Sequence, residues 1–200
     1  MTHQIVTQRG TVVEDPPLAR FLFSDTRMAW FWLVVRVLVG WSWLQSGIEK
    51  LGNPAWTQTG DALKGFWTAA VQVPDTGRPV IAFGWYRSFI QSLLDAGAYT
   101  WFAKLVVAGE VLVGIALIIG AFVGIAAFLG GFMNFNYIMA GSASTNGLLG
   151  IAALFLVLAW KIAGYYGLDR YLLRWLGTPW RDEPEPTPVQ VQQTPGRTPA

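Results

Sequence analysis

The sequence predicts an all-α integral membrane protein, a four-helix bundle with short amphipathic helices in the loop between helices 1 and 2. Three observations predict it. First, Phe102 to Ala140 is almost continuously apolar, broken only by Lys104, Glu110, Asn134 and Asn136, and is about twice the ~20 residues that cross a ~30 Å hydrocarbon core. Second, 53% of the 200 residues are hydrophobic and 13% charged. Third, the chain holds 11 Trp and 22 Gly, residue types that anchor helices at the membrane interface and let them pack closely.

Residues 1–27 are polar, include Glu14, Asp15 and Pro16-Pro17, and read as a surface arm without a cleavable signal sequence. The first span covers about 28–48, with Trp30 and Trp32 at one end and Trp41 and Trp43 toward the other. Gly52-Asn53-Pro54 ends it, because a proline disfavours helix in the residue before it. Residues 53–99 lack a spanning apolar run and form an extracytoplasmic cap. Within it, 61–73 and 85–96 have helical spacing with Phe66, Trp67, Trp85, Tyr86 and Phe89 on apolar faces. Pro74-Asp75-Thr76-Gly77 is the turn between them.

The second and third spans cover about 101–119 and 121–140, joined by a tight turn near Gly120 to Gly124. A polar loop from Gly141 to Gly147 leads to a fourth span at about 148–165. Residues 168–176 read as an interfacial helix bearing Arg170 and Arg174. The domain thus runs from 28 to 176, and the tail at 177–200, with six of the eleven prolines, is expected to be disordered. Four spans put both termini on one side, where Arg20, Arg27, Lys161, Arg170, Arg174 and Arg181 cluster. The positive-inside rule places that side in the cytoplasm of a multi-pass cell-membrane protein.

A net charge of +2 with no basic run gives no footprint for nucleic acid. Cysteine is absent and the one histidine is His3, so no haem, Fe–S cluster or metal site is expected from this chain.

Charged and amide side chains inside a bilayer are functional candidates by default. Arg36 and Glu110 each fall near the middle of their predicted spans, so they are expected to pair. Two roles stay open for the pair, a staple that fixes helix register and a direct part in proton or ligand handling. Helical spacing puts Arg36, Gly40, Trp43, Gly47 and Lys50 on one face of the first span, and Gly130, Asn134 and Tyr137 on one face of the third. Lys50, Lys104, Asn134 and Tyr137 share the outer half of the membrane, close to the polar loop. An outward pocket of this kind, walled by tryptophan, suits a quinone head group. Packing of small residues between helices accounts for the same glycines.

The runs Arg36-Val-Leu-Val-Gly-Trp-Ser-Trp-Leu-Gln-Ser-Gly-Ile-Glu-Lys50, Glu110-Val-Leu-Val-Gly-Ile-Ala-Leu, Met133-Asn-Phe-Asn-Tyr-Ile-Met-Ala-Gly-Ser-Ala-Ser-Thr-Asn146 and Gly167-Leu-Asp-Arg170 resemble the DoxX/DoxD family of small four-helix membrane proteins, especially its DoxD-like branch. The resemblance implies a membrane subunit of a thiosulfate:quinone oxidoreductase or a related redox complex, with quinone, membrane lipid and other protein subunits as partners. It matches Arg36, Lys50, Glu110, Asn134 and Asn146 to the family's polar positions. The expected site therefore comprises Glu110 and Arg36 as catalytic groups and Lys50, Lys104, Asn134, Tyr137 and Asn146 around the quinone. The competing expectation is a non-catalytic structural subunit of a larger respiratory or photosynthetic complex. A small transporter ranks last, since no second deep carboxylate, broken helix pair or inverted repeat is visible.

Overall fold

A computed structural model describes residues 5–6, 12–13, 15–177 and 179. The described chain is helical apart from one antiparallel ladder of β1 (Ile5–Val6) and β2 (Val12–Val13), in which Ile5 faces Val13 and Val6 faces Val12. The tail expected to be disordered lies, but for Gly177 and Pro179, outside the described residues.

The arm before the first long helix carries more structure than its polarity suggests. Pro17 starts a helix, α1 (Pro17–Ser24), where a fixed φ and a missing N–H cost nothing. The Leu22 carbonyl accepts a 2.7 Å hydrogen bond from the indole of buried Trp32, which ties α1 to the first long helix. That helix, α2 (Ala29–Leu51), runs three residues beyond the expected end. A short α3 (Pro54–Thr57) follows, then the two cap helices α4 (Asp61–Val71) and α5 (Gly84–Asp95). Gly60 turns the chain into α4 with φ +79°, and a Cβ there would lie 2.4 Å from the Tyr99 carbonyl. The position is open only to glycine.

The remaining long helices are α6 (Tyr99–Ile119), α7 (Val123–Met139) and α8 (Asn146–Leu158). The fourth apolar stretch is not one helix. It breaks at Ala159 and resumes as α9 (Trp160–Ala163), where Trp160 packs over the open side of Gly124. The described chain closes with α10 (Asp169–Trp175).

Helix α2 packs against α6, and α7 against α8, with α6–α7 contacts joining the pairs. One apolar core, around Trp32, Val39, Trp43, Leu117, Ala127 and Leu156, fills the space between them. A second, around Leu63, Trp67, Tyr86, Ile90 and Ala103, seats the cap on α6.

Glycine sets the α2–α6 register. Gly40 lies against Leu117, Gly114 against the Leu44 backbone and Gly47 against Val111. A Cβ at Gly114 would sit 2.6 Å from the Leu44 amide nitrogen, and a helix backbone cannot step aside as a side chain can. Gly114→Ala is expected to part the helices and cost about 1–3 kcal/mol. Thermal unfolding in detergent checks this, and an unchanged melting temperature would refute the close approach.

The polarity of the fold is inverted relative to a water-soluble domain. Arg36, Glu110, Asn134 and Asp169 are buried, while Leu38, Leu112, Ile125, Phe128, Ile151 and Leu154 face outward. The helical stretches Thr26–Leu51 and Tyr99–Ile119 are long and apolar enough to cross a membrane. Only 33% and 39% of their apolar windows are buried, so their outer faces need an apolar solvent rather than water.

Candidate functional site

Two polar centres lie inside this fold, at opposite ends of α2. The expected Arg36–Glu110 pair is not among them. With Gly47 beside Glu110, Arg36 lies eleven residues earlier on α2, about 16 Å along the axis. Placing both residues at mid-span ignored the glycine contacts, which slide the two helices past that alignment.

Arg36 instead closes the end near the termini. Its guanidinium donates to the carbonyls of Leu117 (2.5 Å) and Ile118 (2.8 Å) at the C-terminus of α6, and to Tyr166 (2.9 Å). Gly120 ends α6 with φ +71°, and a Cβ there would lie 2.7 Å from the Arg36 Nη1. Beside it, the buried Asp169 carboxylate accepts from the first amides of α7, Phe122 (2.5 Å) and Val123 (2.9 Å). A cation thus sits on a helix C-terminus and an anion on a helix N-terminus, each matched to the sign of the helix dipole. The backbone joins in, since Leu168 and Asp169 donate to the carbonyls of Ile119 and Gly120. Burial pushes the Asp169 carboxyl upward, against the pull of the two amides and of Arg36. The partners of Arg36, three backbone carbonyls and the Asp169 carboxylate, all belong to the frame.

The other centre is built round Glu110. Lys50 Nζ approaches both carboxylate oxygens, at 3.0 and 2.8 Å. Tyr137 donates its hydroxyl to Oε1 at 2.7 Å, and Ser46 donates to Oε2 at 3.2 Å. Lys50 also reaches the Ser46 hydroxyl at 2.6 Å and lies over the Trp56 ring, 5.3 Å from its centroid. Glu110 is 1% exposed and the Lys50 side chain 20%, so the carboxylate is enclosed while its counter-ion meets the outside. Helix α2 contributes Ser46 and Lys50 one turn apart, α6 contributes Glu110, and α7 brings Tyr137 across.

Above the carboxylate lies a cavity of about 360 Å³, lined by Trp43, Lys50, Trp56, Phe66, Tyr137 and Asn146, among others. Asn146 opens α8 and donates to the Ser142 carbonyl at 2.9 Å, which folds the polar loop over the cavity. Of the expected site residues, Lys50, Glu110, Tyr137 and Asn146 therefore meet at one cavity. Lys104 is exposed and lies along a different groove with Leu51, Thr57 and Leu112. Six residues separate it from Glu110, about 120° round the helix. Asn134 is fully buried, facing α8 near Gly150, and neither its side-chain oxygen nor its nitrogen has a protein partner. Asn136, on another face of α7, pairs with the Tyr86 hydroxyl at 3.1 Å. Sequence reasoning passed over Ser46 and Trp56. Ser46 was open to detection, since it stands one turn from Lys50 on α2. Trp56 comes from a separate short helix and carried no signal.

Residues 31–143 match the DoxX family, and that stretch runs from α2 through α7. The chain belongs to the DoxX family. As a DoxX protein it is a membrane protein, and the matched segment includes Lys50, Glu110 and Tyr137 together with Arg36. No curated protein and no solved structure matches this DoxX chain.

A quinone has two carbonyl acceptors on a flat apolar ring, so a site for it needs donors between flat walls. Lys50 supplies the donor, and Trp43, Trp56 and Phe66 supply the walls. The indole nitrogen of Trp43 is buried without a protein partner and lies beside Gly130 of α7, so Trp43 serves the cavity as a flat wall. These residues fit the group.

Proposed function

We propose that this DoxX protein is a DoxD-like membrane subunit of a quinone-linked oxidoreductase, which passes electrons from a reduced sulfur anion of the thiosulfate class to the quinone pool. The observation that carries the proposal is the Lys50–Glu110–Tyr137 cluster beneath an aromatic-walled cavity. A carboxylate enclosed in an apolar bundle with two proton-bearing neighbours is a proton-handling arrangement. In this reading α2, α6, α7 and the α8–α9 pair cross the cell membrane. At about 1.5 Å per residue, α7 and α8–α9 span roughly 25 and 27 Å, close to the hydrocarbon thickness. Both termini lie in the cytoplasm, with Arg20, Arg27, Lys161 and Arg170 on that side. The cap and the cavity face outward.

Bound quinone supplies the two-electron acceptor. The chain's part is to bind, orient and manage protons. Lys50, held by Glu110 and Ser46 and lying over the Trp56 ring, would present its positive charge to a quinone carbonyl in the cavity. Lys50 and Tyr137 both carry protons beside the cavity, and Glu110, bonded to each, relays a replacement. In this reading the chain is one subunit of a redox complex, and partner subunits bring the sulfur donor's electrons.

The test is gentle purification in native lipid, with mass spectrometry of what stays bound and an assay of thiosulfate-dependent quinone reduction. Wild type is expected to retain quinone. Glu110→Gln, which keeps the shape but not the titrating group, is expected to slow reduction roughly 100-fold or more. A complex of fixed stoichiometry with no quinone on this chain would reject the reading and make the protein a structural subunit.

A further inference from the structure

The second cavity of this protein adjoins the first. It holds about 370 Å³ between the cap helices and α6–α7, lined by Leu63, Phe89, Leu93, Phe102, Phe132 and Met133, among others. Both cavities fall in the size range of small-molecule sites. Their characters differ sharply. The first is edged by Lys50, Glu110 and the hydroxyls of Ser142 and Thr145. The second is almost wholly hydrocarbon, and its Tyr86 hydroxyl and Asn136 amide satisfy each other.

Two residues, Phe66 and Tyr137, line both cavities. Tyr137 presents its hydroxyl to Glu110 in the polar chamber and the side of its ring to the apolar one. The apolar chamber also reaches the outer surface of the helices, because Phe89 and Phe132 are about half exposed there. A polar chamber and an apolar chamber that meet at Phe66 and Tyr137 match in character the two ends of one amphipathic molecule.

We infer that the cavity between the cap and α6–α7 holds the isoprenoid chain of a quinone whose ring lies against Tyr137 and Lys50. The inference rests on the quinone reading above and extends it to the tail. Phe132 and Phe89 mark the side by which the chain leaves for the bilayer, so the ring enters from lipid and never crosses water. The energetic reason is packing, since a chain already in lipid gains nothing from leaving water. A groove shaped by Leu63, Leu93, Phe102 and Met133 offers that chain close van der Waals contact which a ring alone lacks.

The experiment compares a long-chain quinone with the same ring lacking its chain, using the full protein in nanodiscs. Leu93→Trp fills the groove from the cap side, far from Glu110. Phe132→Trp does so at its exposed rim, where folding is not at stake. The ratio of long-chain to ring-only affinity is expected to fall at least tenfold in both variants. An unchanged ratio in a folded variant would overturn the inference while leaving the quinone reading intact. Failure of wild type to bind either molecule would overturn both. Retention of a phospholipid in the groove, undisplaced by long-chain quinone, would assign it to an acyl chain and overturn the inference alone.

Discussion

Asp169→Ala is expected to lower stability by about 3–5 kcal/mol, the range for removing one member of a buried charged set. At roughly 2–4 °C per kcal/mol for a chain of this size, the melting temperature falls by roughly 6–20 °C. Three consequences coincide. The amides of Phe122 and Val123 lose their acceptor, and a buried donor left unmade bears its full desolvation cost. Phe122 holds φ +49°, a left-handed conformation that costs a non-glycine residue about 1–2 kcal/mol and that the carboxylate helps hold. Arg36 loses its nearest negative charge. Asp169→Asn keeps one acceptor without a charge to desolvate, and its expected loss is smaller. Because Arg36 and Asp169 act on one junction, Arg36→Leu with Asp169→Ala is expected to cost less than the sum of the two. A melting temperature for Asp169→Ala within about 2 °C of wild type would sink the account.

Lys50→Met separates architecture from chemistry at the other centre. It leaves Glu110 buried with only Ser46 and Tyr137 as donors, a loss of about 3–5 kcal/mol for an uncompensated charge. Adding Glu110→Gln removes that charge and is expected to restore most of the stability, though none of the quinone reduction. Thermal unfolding and quinone turnover across the four proteins of this cycle provide the check. Recovery of turnover along with stability in the double variant would show that Lys50 and Glu110 only hold the helices together.

Helices were legible from sequence wherever length and breaks did the specifying. The Gly52-Asn53-Pro54 stop and the turn at Pro74 to Gly77 are where expected, and the cap helices at 61–71 and 84–95 end within two residues of their predicted bounds. Register was not legible. A hydrophobic run has no internal ruler, and only the fit of Gly40, Gly47 and Gly114 to specific neighbours fixes how α2 and α6 align. That is why Glu110 finds Lys50 and not Arg36. Position along a helix was easier to read than direction round it. Lys50 and Lys104 both lie at the cap end of their helices, yet the helical turn carries Lys104 away from the cavity. Asp169 was hardest. Its partners lie more than forty residues earlier in the chain, and the Gly167-Leu-Asp-Arg170 run names no partner for it.

The clamp at Arg36 also has an order in time. Arg36 and the Tyr166 carbonyl it binds are 130 residues apart, and Asp169 is made later still. At about 5–20 residues per second, synthesis leaves the arginine without these partners for roughly 7–26 s. Helices α2, α6 and α7 are complete before Asp169 is made, so their first assembly rests on glycine packing, the Lys50–Glu110–Tyr137 cluster and the bonds of Arg36 to the Leu117 and Ile118 carbonyls. The segment that carries Tyr166 and Asp169 then fastens α2 and the start of α7.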